Sequence, residues 1–388
     1  MSEMKMLCCV MGALSLLPLC GGETVESVLK RYAESTDVPG AVSVVATAQG
    51  EPRFVSVGYA DIATKRKITP DSLFWIASNT KAMAAAVLLT LVDEGKVSLD
   101  DSVEKYLPEF AQLKVQDRQA PGGTRPAASK PTIRQILSHT SGLAFFPQMP
   151  IDQWPMRLLA TKAAQTPQPA DSGTVYRYSN WGIDVAMAVV EVVTGNAWDL
   201  ELKRRILDPL GMKDTTFFPT DEQLSRLAVT YRLGSTAPKS MNVDQFQYPY
   251  SLHTRYPEAG GGLFSTPRDF IRFFQMIAAK GVTREGRRIL SEKMVAEWTK
   301  KQTPTCISTS YSFGLNVQPD RGCVNHGGAY QTFGEANLKT GIARIYFVQI
   351  VGENASSKAR SAAWHAVTAG LTPEAARTEG QQAVETNF

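Results

Sequence analysis

A serine followed three residues later by a lysine occurs four times in this chain: Ser2/Lys5, Ser27/Lys30, Ser78/Lys81 and Ser102/Lys105. On a helix this spacing places both side chains on one face. An amine in that position can take the proton of the hydroxyl and make the oxygen a nucleophile for a carbonyl carbon. Because the pattern is short and common, the surroundings of each pair have to distinguish a site from chance.

Ser78 has unusual surroundings. It follows the apolar run Leu73–Ala77 and opens a predicted helix, Ser78–Glu94, that is the most hydrophobic in the mature chain. Burial disfavours a charged ammonium and would therefore make Lys81 a base. The alternative is that Ser78 only caps the helix and that Lys81 reaches solvent. Ser27 and Ser102 lie in polar sequence, which is typical of capping or surface residues.

A second candidate is Tyr178-Ser179-Asn180, the one Tyr-x-Asn of the sequence, just before a predicted helix. A phenol can relay protons between a serine, a lysine and a leaving group, and an amide can orient the lysine and a substrate carbonyl. The alternative is an ordinary helix start that Ser179 or Asn180 caps.

A third candidate is Asn325-His326-Gly327-Gly328-Ala329, on a predicted strand. Adjacent glycines on a strand indicate close approach by a ligand or another backbone. A backbone N–H here could join that of Ser78 in an oxyanion hole. The alternative is a β-bulge that carries a surface histidine.

The pattern of the chain predicts how these groups are positioned. Strands are predicted near both ends, at 41–48 and 53–59 and again at 311–317, 324–328, 336–338 and 342–351. Helices are predicted between and beyond them, at 25–35, 78–94, 132–138, 180–194, 199–207, 267–280, 291–300 and 357–369. We therefore expect an α+β fold, in which N- and C-terminal segments form one antiparallel sheet flanked by helices. A mostly helical insertion, about 67–300, would leave a cleft for the site.

Composition limits the function. The 388 residues are 43% hydrophobic and 20% charged, with a net charge of +4 and no basic run longer than the three residues Lys65–Lys67. Nothing here indicates a nucleic-acid partner. Cys306 and Cys323 could form a disulfide or stay separate thiols, and neither has a neighbour at zinc-ligand spacing. We expect no metal and no cofactor.

The ends of the chain differ from its middle. Lys5 precedes an apolar stretch, Met6–Cys20, which predicts a signal segment over 1–22 and export to the periplasm or the medium. A lipid on Cys20 would add peripheral membrane attachment. The alternative is a buried N-terminal helix. The main domain would then cover 23–373, and 374–388 would be a polar tail.

Taken together, the motifs resemble those of a known superfamily. The stretches 74–81, 178–180 and 326–328, supported by 136–143 and 260–266, are similar to the motifs of class C β-lactamases, D-Ala carboxypeptidases, D-aminopeptidases and related esterases. The resemblance covers roughly residues 25–370. It implies a β-lactamase/transpeptidase-like fold of the penicillin-binding type.

The resemblance also implies roles for single residues. Ser78 would be the nucleophile, Lys81 its proton acceptor, and Tyr178 a proton relay to the leaving group and later to water. Asn180 would orient Lys81 and the substrate. In the third motif, at 326–329, His326 would contact the polar end of the substrate, and the N–H of Ala329 would join that of Ser78 at the oxyanion. Whether Lys81 or Tyr178 is the principal base stays open.

One departure affects the expected substrate. Class C β-lactamases carry Lys-Thr-Gly where this chain has His326-Gly327-Gly328, and that lysine helps to hold the substrate carboxylate. A histidine here is more similar to the peptidase and esterase branches. We expect a serine hydrolase acting through an acyl-enzyme on ester or amide bonds of a small molecule or short peptide, as an esterase or D-amino-acid peptidase. The alternatives are a β-lactamase and a non-catalytic scaffold; the oligomeric state is left open.

Overall fold

The structure is a computed structural model that describes residues 38–145, 155–233, 239–241 and 256–352. The predicted signal segment, the helices at 25–35 and 357–369 and the polar tail lie outside the described residues. Across the described ranges, no helix combines the length and apolar character that crossing a membrane requires.

One seven-stranded antiparallel sheet organises the fold. Its strands lie in the order β10-β11-β12-β13-β1-β2-β3, so β1 near the start of the chain pairs with β13 near its end. Their bounds are β1 Gly40–Thr47, β2 Arg53–Asp61, β3 Arg66–Lys67, β10 Asn316–Gln318, β11 Cys323–Gly327, β12 Phe333–Asn337 and β13 Ile342–Phe347. The predicted sheet from both terminal segments is confirmed.

Short strands form three smaller sheets, ordered β14-β7-β8, β4-β9 and β5-β6. They are β4 Phe74–Trp75, β5 Lys114–Gln116, β6 Thr124–Pro126, β7 Thr230–Leu233, β8 Lys239–Met241, β9 Phe264–Ser265 and β14 Ile350–Gly352. The pair β4-β9 matters for the site, because it joins the segment before Ser78 to the glycine-rich segment before Phe264.

The helices occupy the middle of the chain. They are α1 Thr80–Asp93, α2 Ile133–Leu137, α3 Met156–Gln165, α4 Asn180–Thr194, α5 Trp198–Leu202, α6 Asp208–Leu210, α7 Asp221–Ser225, α8 Pro267–Ala278 and α9 Glu292–Trp298, with a π-helical turn at Lys203–Leu207. The first twelve residues of α1, Thr80 to Leu91, are all buried. Helix α8 packs against β1, β12 and β13, while α1 packs against α4. The sheet and the helical region therefore share one apolar core.

Three predictions about elements were wrong in detail. The predicted strand 311–317 is a strand only from Asn316, since Gly314 turns the chain with φ of +68°. The predicted strand 342–351 divides, because Ile350–Gly352 leaves the main sheet and pairs with β7 in parallel. Ser78 lies in a 3₁₀ turn, Ala77–Asn79, and the α-helix begins after it.

The two cysteines outside the predicted signal segment are both free thiols, Cys306 exposed and Cys323 buried. Burial raises the pKa of the Cys323 thiol to about 11. Of the two arrangements that the sequence left open, the structure has the separate thiols.

Candidate active site

The backbone around Ser78 is held in a strained form. Ala77, the residue before it, has a φ of +46°, a region that residues with a side chain seldom occupy. The neighbouring backbone fixes this turn: Ile76 N donates to Leu263 O at 3.0 Å and the Trp75 indole donates to Gly261 O at 2.6 Å. Such strain persists only where the surroundings over-determine it, and it concentrates at functional sites.

Lys81 lies one turn into the helix and is fully buried. Its Nζ is 3.1 Å from Ser78 Oγ and donates a further hydrogen bond to Gly260 O. Burial lowers the pKa of this ammonium from 10.5 to about 7, against the opposing charges of Glu258 and Asp184. At neutral pH a substantial share of Lys81 is therefore an uncharged amine in contact with the serine hydroxyl.

The second Ser-x-x-Lys pair within the described residues has different surroundings. The Lys105 side chain is 59% exposed and its Nζ lies 3.0 Å from Asp101 Oδ2, which raises its pKa. Ser102 precedes a short 3₁₀ turn, Val103–Lys105. The two pairs thus share their spacing, but only Lys81 is buried and has a lowered pKa, whereas Lys105 is exposed and has a raised pKa.

Tyr178 covers Lys81 from the side of α4. The Lys81 Nζ is 4.6 Å from the centre of the Tyr178 ring. Burial raises the pKa of the phenol, and its contact with Ser78 only partly offsets that effect. His139 fixes the ring from behind, since the two ring centres are 4.3 Å apart and the Ser179 N–H donates to His139 Nδ1 at 3.2 Å. Tyr178 is therefore a protonated phenol beside the Ser78–Lys81 pair.

Asn180 begins α4 and is buried. Its Nδ2 donates to Glu258 Oε1 at 3.0 Å. It also packs directly on Gly260, where an added Cβ would lie 2.7 Å from the Asn180 Cβ. The side chain of Asn180 thus contacts the segment that carries the carbonyl acceptor of Lys81, while its backbone N–H donates to Phe145 O at 3.1 Å.

His326 lies on β11 and is buried. Burial lowers its pKa to about 3, so the ring is neutral. Its Nδ1 is 2.8 Å from Gly327 O, which can only accept, so Nδ1 carries the proton. Nε2 then accepts the Tyr311 hydroxyl at 3.1 Å. Both ring nitrogens therefore already form hydrogen bonds within the protein.

The glycines of the third motif bring its turn against the nucleophile. An added Cβ on Gly328 would lie 2.5 Å from Ile76 O, so only glycine fits there. Thr332 closes the turn by donating from Oγ1 to the same carbonyl at 3.2 Å. Gly327 ends β11 half-buried, and Ala329 is exposed in the turn that follows. The exposed edge of the third motif thus lies beside the turn that carries Ser78.

The structure brings all three sequence motifs together around Ser78, and it adds residues that the sequence reading missed: Asn79, His139, Asp184, Glu258, Tyr311 and Thr332. Asn79 is one example, since its Nδ2 donates to Thr332 Oγ1 at 3.0 Å across the two turns. The sequence held a signal for two of them, since His139 lies inside the supporting stretch 136–143 and Glu258 lies two residues before the stretch 260–266. The described ranges hold no cluster of three or more side chains that could bind a metal ion.

Comparison with known proteins identifies the family. The family model described as Beta-lactamase matches residues 25–369. The chain belongs to the beta-lactamase family.

Named relatives differ in activity. The chain is 30% identical over 276 residues to Penicillin-binding protein 4 of Amycolatopsis lactamdurans, which covers 70% of this chain and 68% of the relative. It is 28% identical over 286 residues to Esterase EstB of Burkholderia gladioli, with 66% and 69% covered.

Among solved structures, EstCE1, a hydrolase with promiscuous acyltransferase activity, superposes with a TM-score of 0.72. It is 21% identical and the match covers 88% of this chain and 96% of that one. This likeness shows the β-lactamase-like fold, which the resemblance of the motifs had predicted. The family and these neighbours include hydrolases.

Proposed function

We propose that this protein is a serine hydrolase that acts through an acyl-enzyme on esters without a charged group next to the bond that is cleaved. The observation that carries the proposal is the contact between Ser78 Oγ and the buried amine of Lys81. A serine hydroxyl is a weak nucleophile until a base takes its proton. Lys81, with a pKa near 7, is such a base at neutral pH.

The proposed reaction has two halves. In acylation Ser78 Oγ attacks the ester carbonyl, its proton goes to Lys81, and Tyr178 donates a proton to the departing alcohol. The N–H groups of Ser78 and Ala329 stabilise the oxyanion. In deacylation water attacks the acyl-serine and gives a proton to the Tyr178 phenolate, and the Lys81 ammonium returns its proton to Ser78 Oγ as the acid leaves. The raised pKa of Tyr178 and the lowered pKa of Lys81 support Lys81 as the principal base.

The third motif supports the choice of an uncharged substrate. A carboxylate is bound best by a cation or by free N–H donors. His326 is neutral, and each of its nitrogens already has a partner in Gly327 or Tyr311. Gly327 and Gly328 add no side chain. We therefore place simple esters first, ahead of peptides that end in a free carboxylate and ahead of β-lactams.

The test is hydrolysis of p-nitrophenyl butyrate by three purified proteins: the wild type, Ser78→Ala and Ser102→Ala. Ser102 is the matched control, because it belongs to the other described Ser-x-x-Lys pair, whose lysine is exposed. We expect Ser78→Ala to lose turnover and Ser102→Ala to keep it. Turnover by Ser78→Ala at the wild-type rate would contradict the proposal. Labelling of Ser78 by a fluorescent penicillin or a fluorophosphonate distinguishes a nucleophile with another substrate from an inactive scaffold.

Export remains a proposal that rests on the apolar stretch Met6–Cys20. Intact mass measured on protein from a native membrane or periplasmic fraction tests it. Loss of about the first twenty residues would support a signal segment. An added lipid mass on a chain that begins at Cys20 would support a membrane anchor, and an unprocessed N-terminus would contradict both.

A further inference from the structure

The buried amine of Lys81 has two acidic neighbours for which the three motifs provide no role. Asp184 and Glu258 are 1% and 5% exposed, and Lys81 is fully buried. Carboxylates are rarely buried without a partner. Both of these carboxylates act on Lys81 through their charge. A structural role would leave it unexplained why two acids converge on the base of the candidate site.

Hydrogen bonds join helix α4 to the segment 258–260. Asn180 and Asp184 are four residues apart and so lie on one face of α4. Asn180 Nδ2 donates to Glu258 Oε1 at 3.0 Å, and Asp184 Oδ1 accepts from Ala259 N at 3.0 Å. The next residue, Gly260, offers its carbonyl to Lys81. The first turn of α4 therefore fixes the carbonyl that anchors the lysine.

We propose that Glu258, with Asp184 behind it, is a positioning residue for Lys81: the two acids hold its anchoring carbonyl in place and supply the negative charge that a protonated Lys81 needs. This inference rests on the proposed function. It adds to that function the groups that decide how strong a base Lys81 is.

The direction of the effect follows from the chemistry. When Lys81 takes the proton of Ser78 it becomes an ammonium inside the protein, where a charge without a partner is very unfavourable. The carboxylate of Glu258 stabilises that ammonium and so favours the transfer. Burial raises the pKa of Asp184 well above its usual range, and the charge of Glu258 raises it further, so Asp184 is the weaker source of negative charge. Glu258 is therefore the main source of the charge that Lys81 meets, and Asp184 adds to it.

Other groups around Lys81 do not replace this charge. Within the described ranges, the titratable side chains that face or act on Lys81 are those of Tyr178, Asp184, Glu258, His139 and His326. Burial keeps both histidines neutral and the phenol protonated. Removal of the Glu258 charge should therefore be visible in the titration of Lys81 itself.

The experiment compares the pH dependence of kcat/KM for p-nitrophenyl butyrate in the wild type, Glu258→Gln, Glu258→Asp and Asp184→Asn. Without the carboxylate, burial lowers the pKa of Lys81 further. We expect the acidic limb of the kcat/KM profile of Glu258→Gln to move to lower pH by roughly one unit. The plateau should fall several-fold, because a weaker base transfers protons less well. Glu258→Asp keeps the charge, so its limb should stay nearer to that of the wild type.

Asp269→Asn is the matched control for loss of a buried carboxylate. Asp269 lies on the first turn of α8 and is 5% exposed. It accepts hydrogen bonds from Asp214 N and Thr215 Oγ1. Its substitution should leave the limb unmoved. A Glu258→Gln plateau that falls without any movement of the limb, or a profile that superimposes on the wild type, would overturn the inference.

Failure of the inference is distinguishable from failure of the proposed function. If the ester is not turned over, the same profiles are measured as the rate at which a fluorophosphonate labels Ser78. If Glu258→Gln does not fold, the movement of the Asp184→Asn limb relative to Asp269→Asn decides the question. Absence of labelling in the wild type contradicts the function, whereas labelling with superimposed limbs contradicts only the role of the acids.

Discussion

Replacement of Lys81 by methionine should change how stability depends on pH, and the size of the change can be worked out from the structure. Methionine has similar length and no charge. The folded protein holds Lys81 with a pKa near 7, and an unfolded chain holds it near 10.5. Between these values the unfolded chain binds the proton and the folded protein does not.

Stability rises with pH wherever the unfolded state binds more protons. The wild type should therefore become more stable relative to Lys81→Met as pH increases through this window. The slope is about 1.4 kcal/mol per pH unit at most. Since Lys81 is only half titrated at pH 7, the expected gain between pH 7 and pH 9 is roughly 2 kcal/mol. Below pH 7 the difference should level off.

The assay is urea unfolding of the wild type and Lys81→Met at pH 7, 8 and 9, with the free energy of unfolding obtained by linear extrapolation. Lys105→Met is the matched control, because Lys105 is the exposed lysine of the other described Ser-x-x-Lys pair and its pKa is raised. Its curve should run parallel to that of the wild type over this range. A constant difference between the wild type and Lys81→Met from pH 7 to pH 9 would refute the lowered pKa.

Three further substitutions test separate contacts. Tyr178→Phe should lower kcat for p-nitrophenyl butyrate by about 10² to 10⁴, since it removes the proton relay; an unchanged kcat would contradict that role. Tyr311→Phe removes the donor to His326 Nε2 and should lower the free energy of unfolding by about 1–3 kcal/mol. Urea unfolding measures this change, and a free energy equal to that of the wild type within error would refute the prediction. Gly328→Ala would place a Cβ against Ile76 O, so at least a tenfold loss of hydrolysis is expected; full activity would show that this turn can relax.

The sequence predicted the parts of the fold that depend on local pattern. Alternating residues predict the hairpin of β1 and β2, and the spacing of apolar residues predicts helix α4. Helix α4 begins and ends at the predicted residues. The strand predicted at 311–317 was wrong, because Gly314 adopts a positive φ that no alternation pattern reveals. The positive φ of Ala77 could not be predicted either, since alanine is a strong helix former that seldom adopts a left-handed backbone.

For the site, the sequence predicted which residues meet and that burial favours Lys81 as a base, but it missed the groups that surround them. Ser78, Lys81, Tyr178 and the third motif come together in the structure as the order of the motifs implied. The neutrality of His326 could not be read from the sequence, because it depends on burial and on Tyr311, fifteen residues away. The acids near Lys81 were missed for the same reason.

The comparison of the two Ser-x-x-Lys pairs shows what the fold contributes. With a pKa near 10.5, a lysine at pH 7 is an uncharged amine only about 0.03% of the time. With a pKa of about 7, Lys81 is uncharged about half of the time. Burial therefore raises the uncharged fraction of the lysine at pH 7 roughly a thousandfold. The charges of Glu258 and Asp184 oppose this effect and keep the amine basic enough to hold the proton that it takes. In this chain, the Ser-x-x-Lys pair that forms the candidate active site is the one surrounded by a helix, a glycine-rich segment and two buried acids.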